Sequence, residues 1–417
     1  MSQPSVGLTP LAPVQRNTSR YVLMLGSMSA LGAISTDMYL PNLPDVASDL
    51  GTTATMAQLT MTFMMLGGAL GQLVVGPLSD RFGRRRPALI GTVLHIVTCV
   101  LCALAPAIGP LICYRAAMGV FNASAGVVAI AVIRDRFVGR DAARLMSRLM
   151  LVIGVAPLFA PTVGSFVGRF VGWRGVFVVL ALYGVFLLVT MWLKLPESLP
   201  TTYRSSHTAA TFRGYIDLMR DRHFVALVIV PAMLSAVLMS YVVASPFVLQ
   251  DQYGLSKFQF AMVFALNGVG LVGGAQVNAS LVRHFTSSQI LRVALPCTLV
   301  ACLALFTIGA TGWGGLSAFV AALFCAMALQ NLSPSNASAL ALTRHGEKAG
   351  TAAAYSGFLQ SVVPAIIAPV VGVMGNQAWA MGLIMAASAA VAFAVLAFGT
   401  PIYRPGGAEL LDRLPPS

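Results

Sequence analysis

Residues Gly76-Pro77-Leu78-Ser79-Asp80-Arg81-Phe82-Gly83-Arg84-Arg85-Arg86-Pro87 set four arginines and an aspartate between two long apolar runs. The run before, Met56 to Leu78, carries no charge over 23 residues, and the run after, Pro87 to Pro106, none over 20. Each is long enough to cross a bilayer, which takes about 20 residues of helix. The eight residues Ser79 to Arg86 leave room only for a reversal, so the two helices are predicted to be antiparallel neighbours. Four arginines in so short a loop place it on the cytoplasmic side. Gly76 and Gly83 are expected to let backbones pass closely, Pro87 to open the next helix, and Asp80, just past a helix end, to accept from Arg84.

The whole chain has the same character. Of 417 residues, 57% are hydrophobic and 9% charged, against about a quarter charged in soluble proteins, so the chain is an integral membrane protein. Its formal charge of +13 invites a nucleic-acid partner, but the positions of the basic residues argue otherwise. Assigned to loops between apolar runs, 22 of the 26 Lys and Arg fall on the side of Arg81, while Arg169, Arg174 and Lys257 fall opposite and Arg115 lies inside a helix. That asymmetry puts both termini in the cytoplasm and makes nucleic-acid binding unnecessary as an explanation. The six cysteines all lie in apolar runs; the Cys99/Cys102 pair lacks a second ligand pair, so packing is preferred over metal or thiol chemistry, and no cofactor is expected.

In chain order, residues 1–19 form a polar tail rather than a signal peptide. Apolar runs follow near 21–40, 56–78, 87–106, 110–133, 147–168 and 175–195. Residues 196–222 hold Glu197, His207, a Ser/Thr cluster and basic residues with no spanning run, and read as a cytoplasmic linker. Six more runs, near 223–249, 258–280, 290–310, 314–342, 351–374 and 377–399, precede a second tail at 401–417. The expected fold is an all-α integral membrane protein of twelve helices, with bundles at 20–195 and 223–400. Ser280-Leu281-Val282-Arg283-His284-Phe285, about 200 residues after the basic loop, is a degenerate echo of it.

Gly76, Leu78, Asp80, Arg81, Gly83, Arg84 and Arg85 match, position for position, the loop 2-3 signature of the major facilitator superfamily, where that loop resembles a latch closing the cytoplasmic side. Arg115 with Gly119 resembles the helix 4 motif of the family, linked there to proton relay, with Met118 where glutamine is usual. Gly154, Pro157, Pro161 and Gly164 resemble the helix 5 motif of its antiporters, with Ser165 in place of a second glycine. Together with Ser35 to Pro41, Arg134-Asp135, Trp173-Arg174 and Ser245-Pro246-Phe247, these are similar to the bicyclomycin and chloramphenicol resistance branch of the twelve-helix drug:proton antiporters. The resemblance spans residues 20 to 400 and implies two six-helix bundles with a substrate site between them. It also implies a monomer that exchanges small apolar or amphipathic drugs for protons across the bacterial inner membrane.

Twelve of the 13 acidic residues lie in loops, tails or helix ends, and Asp37 is the exception. It stands 16 residues after Tyr21, about 24 Å along the first helix. A carboxylate at that depth costs several kcal/mol unless it faces a cavity, pairs, or takes up a proton. Arg115 enters the fourth run from the other side and reaches a similar depth, so Asp37 and Arg115 are candidates either for proton coupling or for a static salt bridge. Polar groups in lipid prefer the bundle interior, which makes Tyr39, Asn122, Tyr241, Asn267, Asn331 and Gln360, with Met118, candidates for cargo binding. No G-x-x-x-x-G-K-[ST] loop exists to bind a nucleotide, and no nucleophile and base pair stands out in the helices, so an enzyme is not expected. A metabolite exporter or importer, or a receptor that binds without transporting, remains an alternative to drug efflux.

Overall fold

The computed structural model describes residues 18–137, 139–199, 219, 221–344, 349–404 and 406–407. Most of the expected linker and both tails lie outside them. Within the described residues the chain is helical, with no strand.

The first half begins with α1 (Thr18–Asp37) and the short α2 (Leu43–Asp49), followed by α3 (Ala54–Phe82), α4 (Arg85–Ala103), α5 (Ile108–Arg136) and α6 (Gly139–Lys194). The second half has α7 (Arg222–Pro246), continued by a π-helical turn at Phe247–Gln252, then α8 (Lys257–Leu281), α9 (Ser287–Thr311) and α10 (Gly315–Gln330). It closes with α11 (Pro334–Arg344), α12 (Ala349–Ile367), the single turn α13 (Val370–Val373) and α14 (Ala378–Gly399).

Ten described helical stretches are long and apolar enough to cross a membrane. One of them, Phe159–Lys194, belongs to α6, which breaks at Gly172, where φ of 69° is a conformation favouring glycine. This break separates the fifth span from the sixth. The first span, α1, carries Ser27, Ser29, Ser35 and Thr36 and completes the twelve. Two expected runs are interrupted. Residues 314–342 divide at Asn331-Leu332-Ser333, ahead of Pro334, and 351–374 divide at Ala368-Pro369, as proline dictates by lacking a donor N–H.

Large apolar side chains such as Phe166, Phe170, Leu193 and Phe398 are exposed around the outside, which is the expected surface for contact with acyl chains. The interior is stitched by small residues. A Cβ on Gly67 would strike the Ala116 carbonyl, on Gly71 the Val120 carbonyl, and on Gly119 the Met64 carbonyl. The backbones of α3 and α5 therefore touch, and any larger residue at these positions would force them apart.

The reversal between α3 and α4 is tighter than the sequence suggests. Helix α3 runs on to Phe82 and α4 starts at Arg85, so Asp80 sits inside the last turn of α3 and not beyond it. Gly83, with φ of 89°, makes the turn itself. Gly76 has open space where a Cβ would lie, so it permits no close backbone approach here, contrary to expectation.

Candidate functional site

The reversal carries a charge cluster, and its end of the molecule is called the basic end below. Arg84 is only 5% exposed and binds Asp80 at 2.5 Å and Asp135, at the end of α5, at 2.8 Å. It also donates to the Ser79 hydroxyl at 2.8 Å. The Glu197 carboxylate, just past α6, accepts from the backbone N–H groups of Arg84 and Arg85, and the Arg85 guanidinium donates to the Trp192 carbonyl at 2.7 Å. Arg81 instead lies over the Phe82 ring. One arginine thus ties α3, α4, α5 and the end of α6, all in the first half.

The opposite, far end joins the two halves. The Gln58 amide, fully buried on α3, donates to the Val243 carbonyl of α7 at 3.3 Å and to Asn376 Oδ1 at 2.5 Å. Gln250 donates to the Pro41 carbonyl at 3.1 Å, and Lys257 pairs with Asp45. These are the described hydrogen bonds and ion pairs that cross between the halves, and every one lies at the far end. Asn376 holds a positive φ of 53°, which asparagine tolerates better than most residues.

Between the two ends lies Arg115, with no exposed surface. Its guanidinium donates to the Ser35 carbonyl at 3.1 Å and points N–H groups at Met61 Sδ, 3.0 Å away, and Met118 Sδ, 3.6 Å away. The Tyr39 ring centroid is 4.5 Å and the Phe177 centroid 5.7 Å from its central carbon. Two desolvated cation–π contacts contribute about 2 kcal/mol each and offset part of the cost of burying the charge. The expected pairing of Arg115 with Asp37 is not made: none of the described ion pairs contains either residue. Backbone geometry explains this. Asp37 is the last residue of α1, and Arg115 reaches the carbonyl of Ser35 one half-turn earlier.

Asp37 is 7% exposed, and among the described residues no hydrogen bond or ion pair reaches its carboxyl. It lies close enough to Tyr241 of α7, in the second half, for the two to interact electrostatically. Tyr241 is itself buried, accepts from Asn267 Nδ2 at 3.3 Å and stacks on Phe264.

A cavity of about 420 Å³ opens between α1, α3, α5 and α12. Thr36, the neighbour of Asp37, lines it, with Met64, Met65, Asn122 and Gln360. No ionisable side chain is among its lining residues. Of the other candidates, Tyr39 and Met118 pack on Arg115. Asn331 donates to the Leu271 carbonyl and holds α10 to α8. Gly164 lets α6 meet the Met38 carbonyl, and Pro161 is buried beside it. Gly154 and Pro157 fall in α6 where side chains lie outside the described residues. That Ser35, Met61 and Phe177 would enclose Arg115 was not legible from sequence, since an apolar membrane helix gives no sign of which face a residue occupies.

Twelve spans in two bundles, tied at one end around a central cavity, define a helical membrane transporter. Residues 25–369 match the Major Facilitator Superfamily, and the chain belongs to that family. It is 33% identical over 383 residues to an uncharacterized MFS-type transporter, YdgK of Bacillus subtilis, covering 91% of this chain and 95% of that protein. It is 28% identical over 393 residues to a bicyclomycin resistance protein homolog of Haemophilus influenzae, covering 92% and 96%. Identity is again 28%, over 70% of each chain, to the chloramphenicol resistance protein CraA of Acinetobacter baumannii. A bacterial homolog of the human lysosomal transporter Spinster superposes with a TM-score of 0.76 at 16% identity, over 96% of this chain and 99% of that one, a likeness of fold. The chain is therefore a multi-pass membrane transporter and not an enzyme.

Proposed function

We propose that this protein exports small apolar or amphipathic compounds, of the chloramphenicol or bicyclomycin kind, across the bacterial inner membrane in exchange for protons. In this reading it works as a monomer with both termini and the basic end in the cytoplasm, and the cavity receives the cargo. The names of its relatives support the cargo class, and the charge asymmetry supports the orientation.

The observation that carries the proton role is the isolation of Asp37: one carboxyl, buried, paired with no cation among the described residues, next to a cavity-lining residue and within electrostatic reach of Tyr241 in the opposite half. Exchange requires that proton and cargo favour different states of one group. Ionised, Asp37 needs a polar or wet setting; protonated, it does not. Movement of α7 past α1 changes that setting, so protonation and the orientation of the halves are linked. Arg115 is a fixed positive charge in the same bundle, held by carbonyl, sulfur and ring contacts that do not involve Asp37.

The test is proton release on adding chloramphenicol to purified protein in weak buffer. The native protein is expected to release protons and Asp37→Asn to release none, with gradient-driven efflux abolished. Equal release from both would move the coupling site elsewhere.

A further inference from the structure

We propose that the basic end of the first half binds an anionic phospholipid, seated where the start of α4 meets the end of α6, with its phosphate held by Arg85, Arg86 and Lys194. The site belongs to the membrane-facing surface and does not depend on which cargo is carried.

The two helix ends are fastened to each other. Pro196 has no N–H to offer the Trp192 carbonyl four residues before it, so that carbonyl is left over at the end of α6. The Arg85 guanidinium donates to it at 2.7 Å. The Glu197 carboxylate accepts from the backbone N–H groups of Arg84 and Arg85, and from those of Ser198 and Leu199. Arg85 and Arg86 of α4 are thereby brought to the turn of α6 that carries Lys194.

Charge at this junction is unbalanced. Arg84 takes both Asp80 and Asp135, and the ion pairs among the described residues include none of Arg85, Arg86 and Lys194. Three cations stand against the single carboxylate of Glu197, whose oxygens already serve as a cap for backbone N–H groups. Arg86 and Lys194 are exposed, and Arg85 is half-buried.

Beyond the cations the surface is apolar and of matching length. Ile90, Val93 and Val97 follow Arg86 along the exposed face of α4 at helical spacing, and Phe186 and Val189 precede the exposed Trp192 on α6. From Arg86 to Val97 the helix rises about 16 Å, against about 15 Å for half of the hydrocarbon core of a bilayer. A Cβ on Gly184 would lie 2.7 Å from Ile96 Cγ1, so the two helices touch at that depth and give acyl chains one continuous floor. Trp192 lies at the level of the cations, where tryptophan is favoured at a membrane interface. A basic residue near the membrane surface strengthens attraction to an anionic headgroup by about fivefold.

The experiment places the full-length protein in phosphatidylcholine nanodiscs containing equal mole fractions of either brominated phosphatidylglycerol or brominated phosphatidylcholine. The readout is quenching of Trp192 fluorescence, taken as the difference from Trp192→Phe. Phosphatidylglycerol is expected to be enriched beside Trp192 by about fivefold or more. Replacing both exposed cations, Arg86→Gln with Lys194→Gln, should bring the ratio close to one, since the remaining Arg85 is balanced by Glu197. Arg283→Gln, which removes an exposed charge from the basic end of the second half, should leave the enrichment unchanged.

Equal quenching by the two lipids in the native protein would overturn the site. Enrichment that survives the double variant, or that falls as much with Arg283→Gln, would replace it with diffuse attraction to the whole basic end. Loss of enrichment on adding inorganic phosphate, but not sodium chloride of the same ionic strength, would assign the cations to a free anion and not to lipid.

Discussion

Charge at the basic end holds one half of the molecule together, whereas at the far end mainly neutral amides hold the two halves to each other. Arg84 reaches Asp80 and Asp135, and Glu197 caps its backbone, all within the first half. Gln58, Gln250 and Asn376 bridge the halves, with the Lys257–Asp45 pair beside them. The difference is one of strength and reversibility. A buried ion pair with every partner in place is costly to break, which suits a unit that moves as a rigid body. An amide exchanging one carbonyl for water or another partner changes little in free energy, which suits a seam that must open in each transport cycle.

The largest effect is expected at Arg84. Arg84→Ala leaves Asp135, 15% exposed, without its cation, and breaking such a pair costs about 3 kcal/mol or more. Folded yield and melting temperature should fall together; an unaltered melting temperature would show that charge does not consolidate the first half.

Gln58→Leu should act at the seam and not on the fold. It deletes two bonds between halves, about 1 to 2 kcal/mol, so the population with its far end open should rise about fivefold to thirtyfold. Spin labels at Ser48 and Trp313, exposed at the far ends of the two halves, would report it as a longer distance. An unchanged distance distribution would break the comparison, because the amides would then not be what closes the far end.

Asp80→Asn should be milder still in stability, since the Asp80 side chain is 50% exposed and exposed pairs contribute about 0 to 1 kcal/mol. Its expected signature is slower turnover at normal expression, through loss of a contact made in another orientation of the halves. Unchanged turnover would make the loop a topological anchor only.

The smallest effect belongs to Asp49, at the far end but inside the first half. Hydrogen bonds from Arg174 and from the Trp173 indole hold its carboxyl below the usual carboxylate range. A lowered value stabilises the folded state above the ordinary carboxylate value of about 3.9 and ceases to do so as the pH falls through the folded one. The difference in melting temperature between native protein and Asp49→Asn should be present at neutral pH and absent in acid. A difference that persists in acid would assign the contact to shape and not to charge.

Much of this architecture was legible in the chain. The lengths of the uncharged runs, the arginines of one short loop and the match around Asp80 to Arg85 sufficed for twelve spans, the reversal between the second and third, and the family; that α3 packs on α5 rather than on α4 was not legible. The interruptions before Pro334 and at Pro369 also had a visible cause, although the runs 314–342 and 351–374 read as continuous. The fifth and sixth spans are separate, as read, but the tightness of their link was hidden, because Arg169 and Arg174 resemble a loop while only Gly172 leaves the helical conformation.

What the sequence determined by itself was therefore set by local cost: a charge cannot stay in lipid without a partner, and a helix must be long enough to cross. Which charge finds which partner is not a local matter. Asp37 and Arg115 reach similar depths from opposite ends and invite pairing, yet Arg115 is held by Ser35, Met61, Met118, Tyr39 and Phe177. In a bilayer the outward and inward faces of a helix are both apolar, so periodicity carries little information about which side chains meet. Only the packing of α1, α3, α5 and α6 decided that the arginine would be enclosed by rings and sulfurs and the aspartate left without an ion pair among the described residues.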